Sequence, residues 1–213
     1  NGEAEVTTAS ELTGALADSS ISRITLKGDI DIGSTLTVNR TVTLDLNGCV
    51  LKMTGSDSVI KVEADGDLTI QDRNTTTQHK FNPHCKYLTW YIDMWELDNG
   101  GSEIVSGGVI TGGGGDQSNG GGVLVAGGTL VMAGGSIVGC SAMSRGGGVC
   151  NNGTFIMSDG MIKGCTSPDG QYASGGGVRN SNQFTMTGGM IGDPDNENDA
   201  SHVYNTSSQE TTL

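Results

Sequence analysis

The chain has 213 residues, 36 of them glycine, and carries 11 Lys plus Arg against 24 Asp plus Glu, a formal net charge of −13 at pH 7. An acidic surface of this size repels phosphate backbones and anionic headgroups, which argues against nucleic acid and anionic membranes as partners. No apolar run approaches the ~18–20 residues that a membrane-spanning helix needs, and five cysteines without a CxxC pair give neither a dense disulfide scaffold nor zinc-ribbon spacing.

The opening Asn1-Gly2-Glu3-Ala4-Glu5 lacks a basic region followed by an apolar stretch and does not read as a signal peptide. Residues 8–20 read as an N-terminal cap. Thr8 to Ala17 suits a short helix with Ser10 at its N-cap and Leu12, Ala15 and Leu16 on one face. Three short strand-like runs follow, Ile24–Leu26, Ile30–Ile32 and Leu36–Val38. Val42–Leu46, Val50–Met53 and Val59–Val62 repeat them, and Leu68–Ile70 opens a third set.

Residues 73–102 break this pattern and read as a hairpin insertion. They carry Phe81, Tyr87, Trp90, Tyr91 and Trp95, five of the nine aromatics, together with His79, His84 and Cys85. A long insertion between repeats maps to one face, often the binding face. If Tyr87 to Trp95 is one strand, alternation sets Tyr87, Tyr91 and Trp95 on one side and Trp90 on the other. One side must pack on the repeats and the other is a platform on which sugar rings can stack, so Tyr87, Trp90, Tyr91 and Trp95 are the candidate ligand-binding residues.

From residue 103 to 192 the chain is an array of glycine-rich repeats. Gly120-Gly121-Gly122-Val123 recurs at 146–149 and 175–178, and each copy leads into a matching run: Thr129-Leu130-Val131-Met132, Thr154-Phe155-Ile156-Met157 and Gln183-Phe184-Thr185-Met186. Glu103 to Ile110 reads as a degenerate earlier copy. A unit of three short strands every ~25 residues cannot bury its apolar face alone, and stacking such units buries it. The expected fold is therefore all-β, a solenoid of six coils about 29 Å long at ~4.8 Å per coil. Leu130, Met132, Ile137, Phe155, Met157, Ile162, Phe184, Met186 and Ile191 should point inward. His202-Val203-Tyr204 reads as the start of a seventh coil.

Repeats of the form GGGV-x-N-x-GTF-x-M-x-GG-x-I, over roughly residues 20–195, resemble the glycine-rich right-handed parallel β-helix modules of bacterial surface proteins and, more distantly, the repeats of polymorphic outer-membrane autotransporters. The segment Leu68-Thr69-Ile70-Gln71-Asp72 with the hairpin that follows resembles an insertion in surface proteins of Gram-positive gut bacteria. The resemblance implies a single-stranded, pectate-lyase-like β-helix on a secreted or wall-attached protein, as one module of a longer chain. Its implied partners are a host or dietary glycan, a surface protein, or other modules of the same chain.

Enzymes on such folds set the competing reading, a polysaccharide lyase or glycoside hydrolase. Hydrolysis needs paired carboxylates with room for a water. The Asn-Thr-Asp, Asp-Asp and His-Gly strings of the family hydrolases are absent, and Asp29 and Asp31 are two apart rather than adjacent. Arg145 and Arg179 lie in neighbouring repeats without an acid cluster, so no catalytic residue is assigned. Asp193, Asp195, Glu197 and Asp199 alternate as calcium ligands do, but Asn198 replaces the turn glycine and Tyr204 the bidentate Glu. A solvated acidic loop is the preferred reading there, with calcium the only cofactor in question. Cys140 and Cys165 occupy one repeat position a coil apart, and either a disulfide or two packed thiols fits that spacing. Cys150 reads as outward-facing in register with Leu124 and Arg179, and Asn151 and Asn180 as a structural stack.

Overall fold

The computed structural model describes residues 2–87, 90–114, 119–167, 175–192 and 203–205, without the side chains of 84–87 and 90–93. The chain opens on a strand that local pattern did not reveal, β1 (Gly2–Val6), followed by helix α1 (Ala9–Ala17). Thr8, not Ser10, is the N-cap. Its hydroxyl accepts the Glu11 N–H at 3.3 Å, and the Glu11 carboxylate accepts the Thr8 N–H at 3.1 Å. This reciprocal capping box needs the Thr-x-x-Glu spacing, which Ser10 lacks. Leu12, Ala15 and Leu16 are buried as expected. At the other end of the helix, the Arg40 guanidinium donates to the carbonyls of Ala15 (2.8 Å) and Leu16 (2.9 Å), which have no partner within the helix.

The strands then come in sets of three. β2 (Ile21–Leu26), β3 (Ile30–Ile32) and β4 (Leu36–Val38) form one coil, and β5 (Thr41–Asp45), β6 (Val50–Met53) and β7 (Ile60–Val62) run parallel to them in the next. β8 (Asp67–Gln71) opens the third coil. The insertion intervenes as β9 (Gln78–Tyr87), β10 (Trp90–Leu97) and β11 (Glu103–Ser106), and β12 (Val109–Thr111) and β13 (Val123–Val125) complete the coil. β14 (Thr129–Val138) with β15 (Val149–Asn151), then β16 (Thr154–Lys163) with β17 (Val178–Asn180), make the fourth and fifth. β18 (Gln183–Met186), β19 (Met190–Ile191) and β20 (Val203–Asn205) make the sixth.

Among the described residues every pairing outside the insertion is parallel, and the strands stack into three faces. The register is constant down each face. On the first, Ile24, Leu44, Ile70, Met132, Met157 and Met186 lie in one column. On the second, Ile30, Leu51, Ile110, Ile137, Ile162 and Ile191 do so. On the third, Leu36, Ile60, Val123, Val149, Val178 and Val203 form the column. These columns are the core, which thins only in the last coil, where Met186, Ile191 and Val203 are half-buried. β14 and β16 each run through a corner, so the first and second faces join as one curled sheet.

Three expectations are corrected. β20 pairs with β17 and closes the sixth coil instead of starting a seventh. Glu103–Ser106 is not a degenerate repeat, because β11 pairs antiparallel with β9 inside the insertion, and only Val109–Thr111 rejoins the stack. Cys150 does stand in register between Leu124 and Arg179, but it is buried rather than facing solvent. Cys140 and Cys165 are free thiols within the core.

The triple glycines have a packing reason. A Cβ on Gly122 would come 2.5 Å from Ile137 Cγ2, and one on Gly148 would come 2.6 Å from Ile162 Cγ2. In these two copies the third glycine leaves the space that the next isoleucine fills. The asparagine stack extends one coil further than the sequence reading had it. Asn151 Nδ2 donates to Asn180 Oδ1 at 2.7 Å, and Asn180 Nδ2 to Asn205 Oδ1 at 3.0 Å. Asn151 and Asn180 are completely buried, so each amide must find partners coil to coil.

Candidate functional site

The insertion leaves the solenoid at a polar corner between the first and second faces. Asp45 is fully buried there. Its carboxylate takes the Arg73 guanidinium, the Gln71 amide at 3.1 Å and the Asn47 N–H at 3.0 Å. Burial pushes the Asp45 carboxyl up, but the hydrogen bonds from Arg73 and Gln71 more than offset this and hold it below the ordinary carboxylate value. Asp72 ties the two ends of the insertion together, accepting N–H groups from Gly48 (2.7 Å) before it and Gly108 (2.8 Å) after it. The returning chain passes so close that a Cβ on Gly107, at φ +88°, would lie 2.3 Å from Asp72 Oδ2. His79 places Nε2 3.0 Å from the Gly48 carbonyl, to which it donates.

A group held below its unfolded pKa adds stability above that value and loses it as pH falls through the folded pKa. The wild-type protein is therefore expected to lose stability below about pH 4, where an unfolded Asp begins to protonate. In Asp45→Asn this part of the acid loss should disappear. Thermal midpoints compared at pH 3 and pH 7 check it, and an unchanged pH dependence in the variant would remove Asp45 from the account.

The insertion is a three-stranded antiparallel sheet in the order β10, β9, β11. Trp90 stands opposite Tyr87, and Tyr91 opposite Lys86. The single strand from Tyr87 to Trp95 presumed above therefore does not exist. Tyr87 ends one strand, while Trp90 and Tyr91 begin the next, so all three sit at the far end of the hairpin; their side chains lie outside the described residues. So do the side chains of His84 and Cys85, and the whole of Asp193, Asp195, Glu197 and Asp199. Among the described residues no group of three or more His, Cys, Asp or Glu could hold a metal ion.

Trp95 has a different place. Between the pairs Met94–Cys85 and Glu96–Asn82 the register shifts, with Pro83 and His84 of β9 opposing Trp95 alone. Pro83 cannot donate to a ladder and is tolerated at such a bulge, which re-aims the facing side chain. Trp95 is only 3% exposed, and packs with Phe81, Val105, Val109 and Val138 in a second small core between insertion and solenoid. Lys163 Nζ lies 4.4 Å from the centre of its ring, in cation–π range. The Trp95 backbone N–H donates to the Gly164 carbonyl at 3.0 Å. This closeness depends on two absent side chains: a Cβ on Gly139 would lie 1.9 Å from the Trp95 carbonyl oxygen, and one on Gly164 2.2 Å from Trp95 Cγ. Trp95 is thus the anchor of the insertion and leaves the candidate stacking set. A clue was present in the sequence, since Gly139-Cys140 and Gly164-Cys165 repeat one coil apart.

Beside the anchor, a groove of about 370 Å³ separates the second face (Lys52, Thr54, Thr111) from β10 (Met94, Glu96, Leu97). Sequence reasoning missed it, because its two walls are brought together only by the docking of Trp95.

This is a curled parallel β architecture carrying a docked antiparallel sheet, and its first half has a counterpart. Residues 3–106 match the family model described as "Putative pectate lyase-like adhesive domain". The matched stretch runs from β1 to the end of β11, so it contains the whole insertion and stops before the glycine-rich repeats. No curated protein and no solved structure matches the chain. No described helix is long and apolar enough to cross a membrane.

Proposed function

We propose that this chain is a non-catalytic adhesive module of a secreted or cell-surface protein, a single-stranded right-handed parallel β-helix that displays its insertion to a neutral glycan. The observation that carries the reading is the adhesive-domain match over 3–106, which includes the element standing off the solenoid. Right-handedness is supported by the general rule that crossovers between parallel strands of one sheet are right-handed in about 98% of cases. The contact falls at the hairpin end, on Tyr87, Trp90 and Tyr91, because flat rings with polar tips stack on sugars at low entropic cost. The net charge of −13 disfavours anionic glycans. Attachment to a wall and further modules of the same chain belong to the same reading.

A glycan-array screen of the purified module and of Tyr91→Ala tests it. Neutral hits that fade in the variant, with an unchanged circular dichroism spectrum, are expected. Undiminished binding would move the contact off the hairpin end. On polyuronates no product above a blank is expected, and unsaturated products lost on replacing a single carboxylate would overturn the non-catalytic reading.

A further inference from the structure

We infer that the outer side of the third face, around Arg145, Arg179 and Tyr204, is a binding site for a sugar ring that carries a sulfate or phosphate ester. Strand alternation turns Cys150, Arg179 and Tyr204 outward while Val149, Val178 and Val203 fill the core. The ladder sets the three outward residues side by side on successive coils, at ~4.8 Å per step. Arg145 joins them because the glycine run folds back: a Cβ on Gly146, its chain neighbour, would lie 3.0 Å from Cys150 Cα. Both guanidiniums act on the Cys150 thiol, which is 1% exposed although its strand position points outward. Burial pushes that thiol up and the guanidiniums only partly oppose it, so it stays an uncharged S–H and neutralises neither. Arg23, Lys27, Lys61 and Arg73 pair with Glu3, Glu5, Glu63 and Asp45, whereas among the described residues neither Arg145 nor Arg179 has an acidic partner. Arg179 donates to the Ser181 hydroxyl, and Arg145 is exposed. In a chain with 24 acidic residues against 11 basic ones, two adjacent guanidiniums are thus left for an external anion. Charges beyond about 8 Å are screened at physiological ionic strength, so this pair rather than the net charge sets the local potential. One guanidinium fork already serves the two oxygens of a carboxylate, while two forks from different coils suit the three free oxygens of a sulfate or phosphate ester. Tyr204, 45% exposed, stands one ladder step beyond Arg179 and offers a flat ring with a polar tip to the C–H face of a sugar. That single step sets the ester directly on the stacked ring, as in a hexose ester, and not across a spacer as in a nucleotide. The insertion docks on the second face, so this site goes beyond the hairpin-end reading and does not depend on it.

The test is a nuclear magnetic resonance titration of the whole 213-residue chain with glucose 6-sulfate, glucose 6-phosphate, glucuronate, glucose and inorganic sulfate. At least one hexose ester should bind and shift the amide signals of 145–150, 178–181 and 203–205, while glucose shifts none of them. Arg145→Gln and Arg179→Gln should each weaken the ester by roughly ten-fold or more, as expected for hydrogen bonds to charged groups. Tyr204→Ala should weaken the ester and leave inorganic sulfate unaffected. Lys61→Ala, on the same face but paired with Glu63, and Tyr91→Ala at the hairpin end should change nothing. Unchanged circular dichroism establishes that each variant is folded, and Arg145, being exposed, can be replaced without disturbing the coil. Which ester binds more tightly names the source of the oxyanion, and either result upholds the site. Glucuronate bound as tightly as the esters would overturn the tetrahedral class. Inorganic sulfate bound as tightly as the esters would mean an adventitious ion only and overturn the sugar. Full ester affinity in both arginine variants, or no ester binding at all, would overturn the site and leave the hairpin-end reading standing.

Discussion

Replacing Phe155 by Ala is expected to destabilise the protein by about 3–5 kcal/mol, the range for truncating a buried aromatic. Phe155 is completely buried and occupies the inward column that runs Val42, Leu68, Leu130, Phe155, Phe184. Its ring stacks on Phe184 with centroids 4.9 Å apart and planes 12° apart. The cost should fall in the upper part of the large-to-small range because the site cannot collapse. The backbones above and below are held at ladder spacing on both sides, so the missing ring leaves a cavity that neighbouring side chains cannot close. In a stacked architecture each coil touches only its neighbours, so the loss should also be local. Hydrogen exchange should accelerate at 154–157 and 183–186 while 42–62 stays protected. A loss below about 1 kcal/mol, or uniform acceleration along the chain, would contradict this packing.

The second large effect is expected at Gly164. In Gly164→Ala the new methyl has no room beside the Trp95 ring, and the residue must also hold a φ of +59° that L side chains rarely adopt. The insertion should come away from the second face while the solenoid stays folded. Trp95 would then move from a buried position to water, giving a red-shifted emission, and limited proteolysis should cut between 78 and 106. A double-mutant cycle separates the two causes. If the clash dominates, Gly164→Ala made in a Trp95→Gly background, which also removes the Cβ that would lie 2.6 Å away, should cost only the backbone term of ~1–2 kcal/mol. Fully additive losses would show that Trp95 and Gly164 do not meet.

The same two sites mark the limits of sequence reading. Phe155 was assignable because the repeat sets it level with Leu130 and Phe184, and residues that recur at one position share one environment when coils stack. The six coils and the inward Ile and Met columns follow from that logic, as does the asparagine stack. Asn205 was overlooked although Val203-Tyr204-Asn205 has the form of Val178-Arg179-Asn180, since residues 193–202 interrupt the spacing by which copies were aligned. The insertion has no second copy to compare with. Between Tyr87 and Trp95 no Gly, Pro or Asn marks a turn, so alternation was read through a chain that in fact divides into β9 and β10.

By itself the sequence determined the period, the all-β character and the columns of the core, because each depends on residues that meet their own equivalents one coil away. Only the tertiary structure decided that Trp95 is buried as an anchor, that β11 belongs to the insertion, and that β10 lies across a groove from the second face. Those contacts join segments tens of residues apart with no repeat relation between them. They depend on where a missing Cβ, at Gly139 and Gly164, lets one backbone lie against another, and spacing along the chain carries no record of that distance.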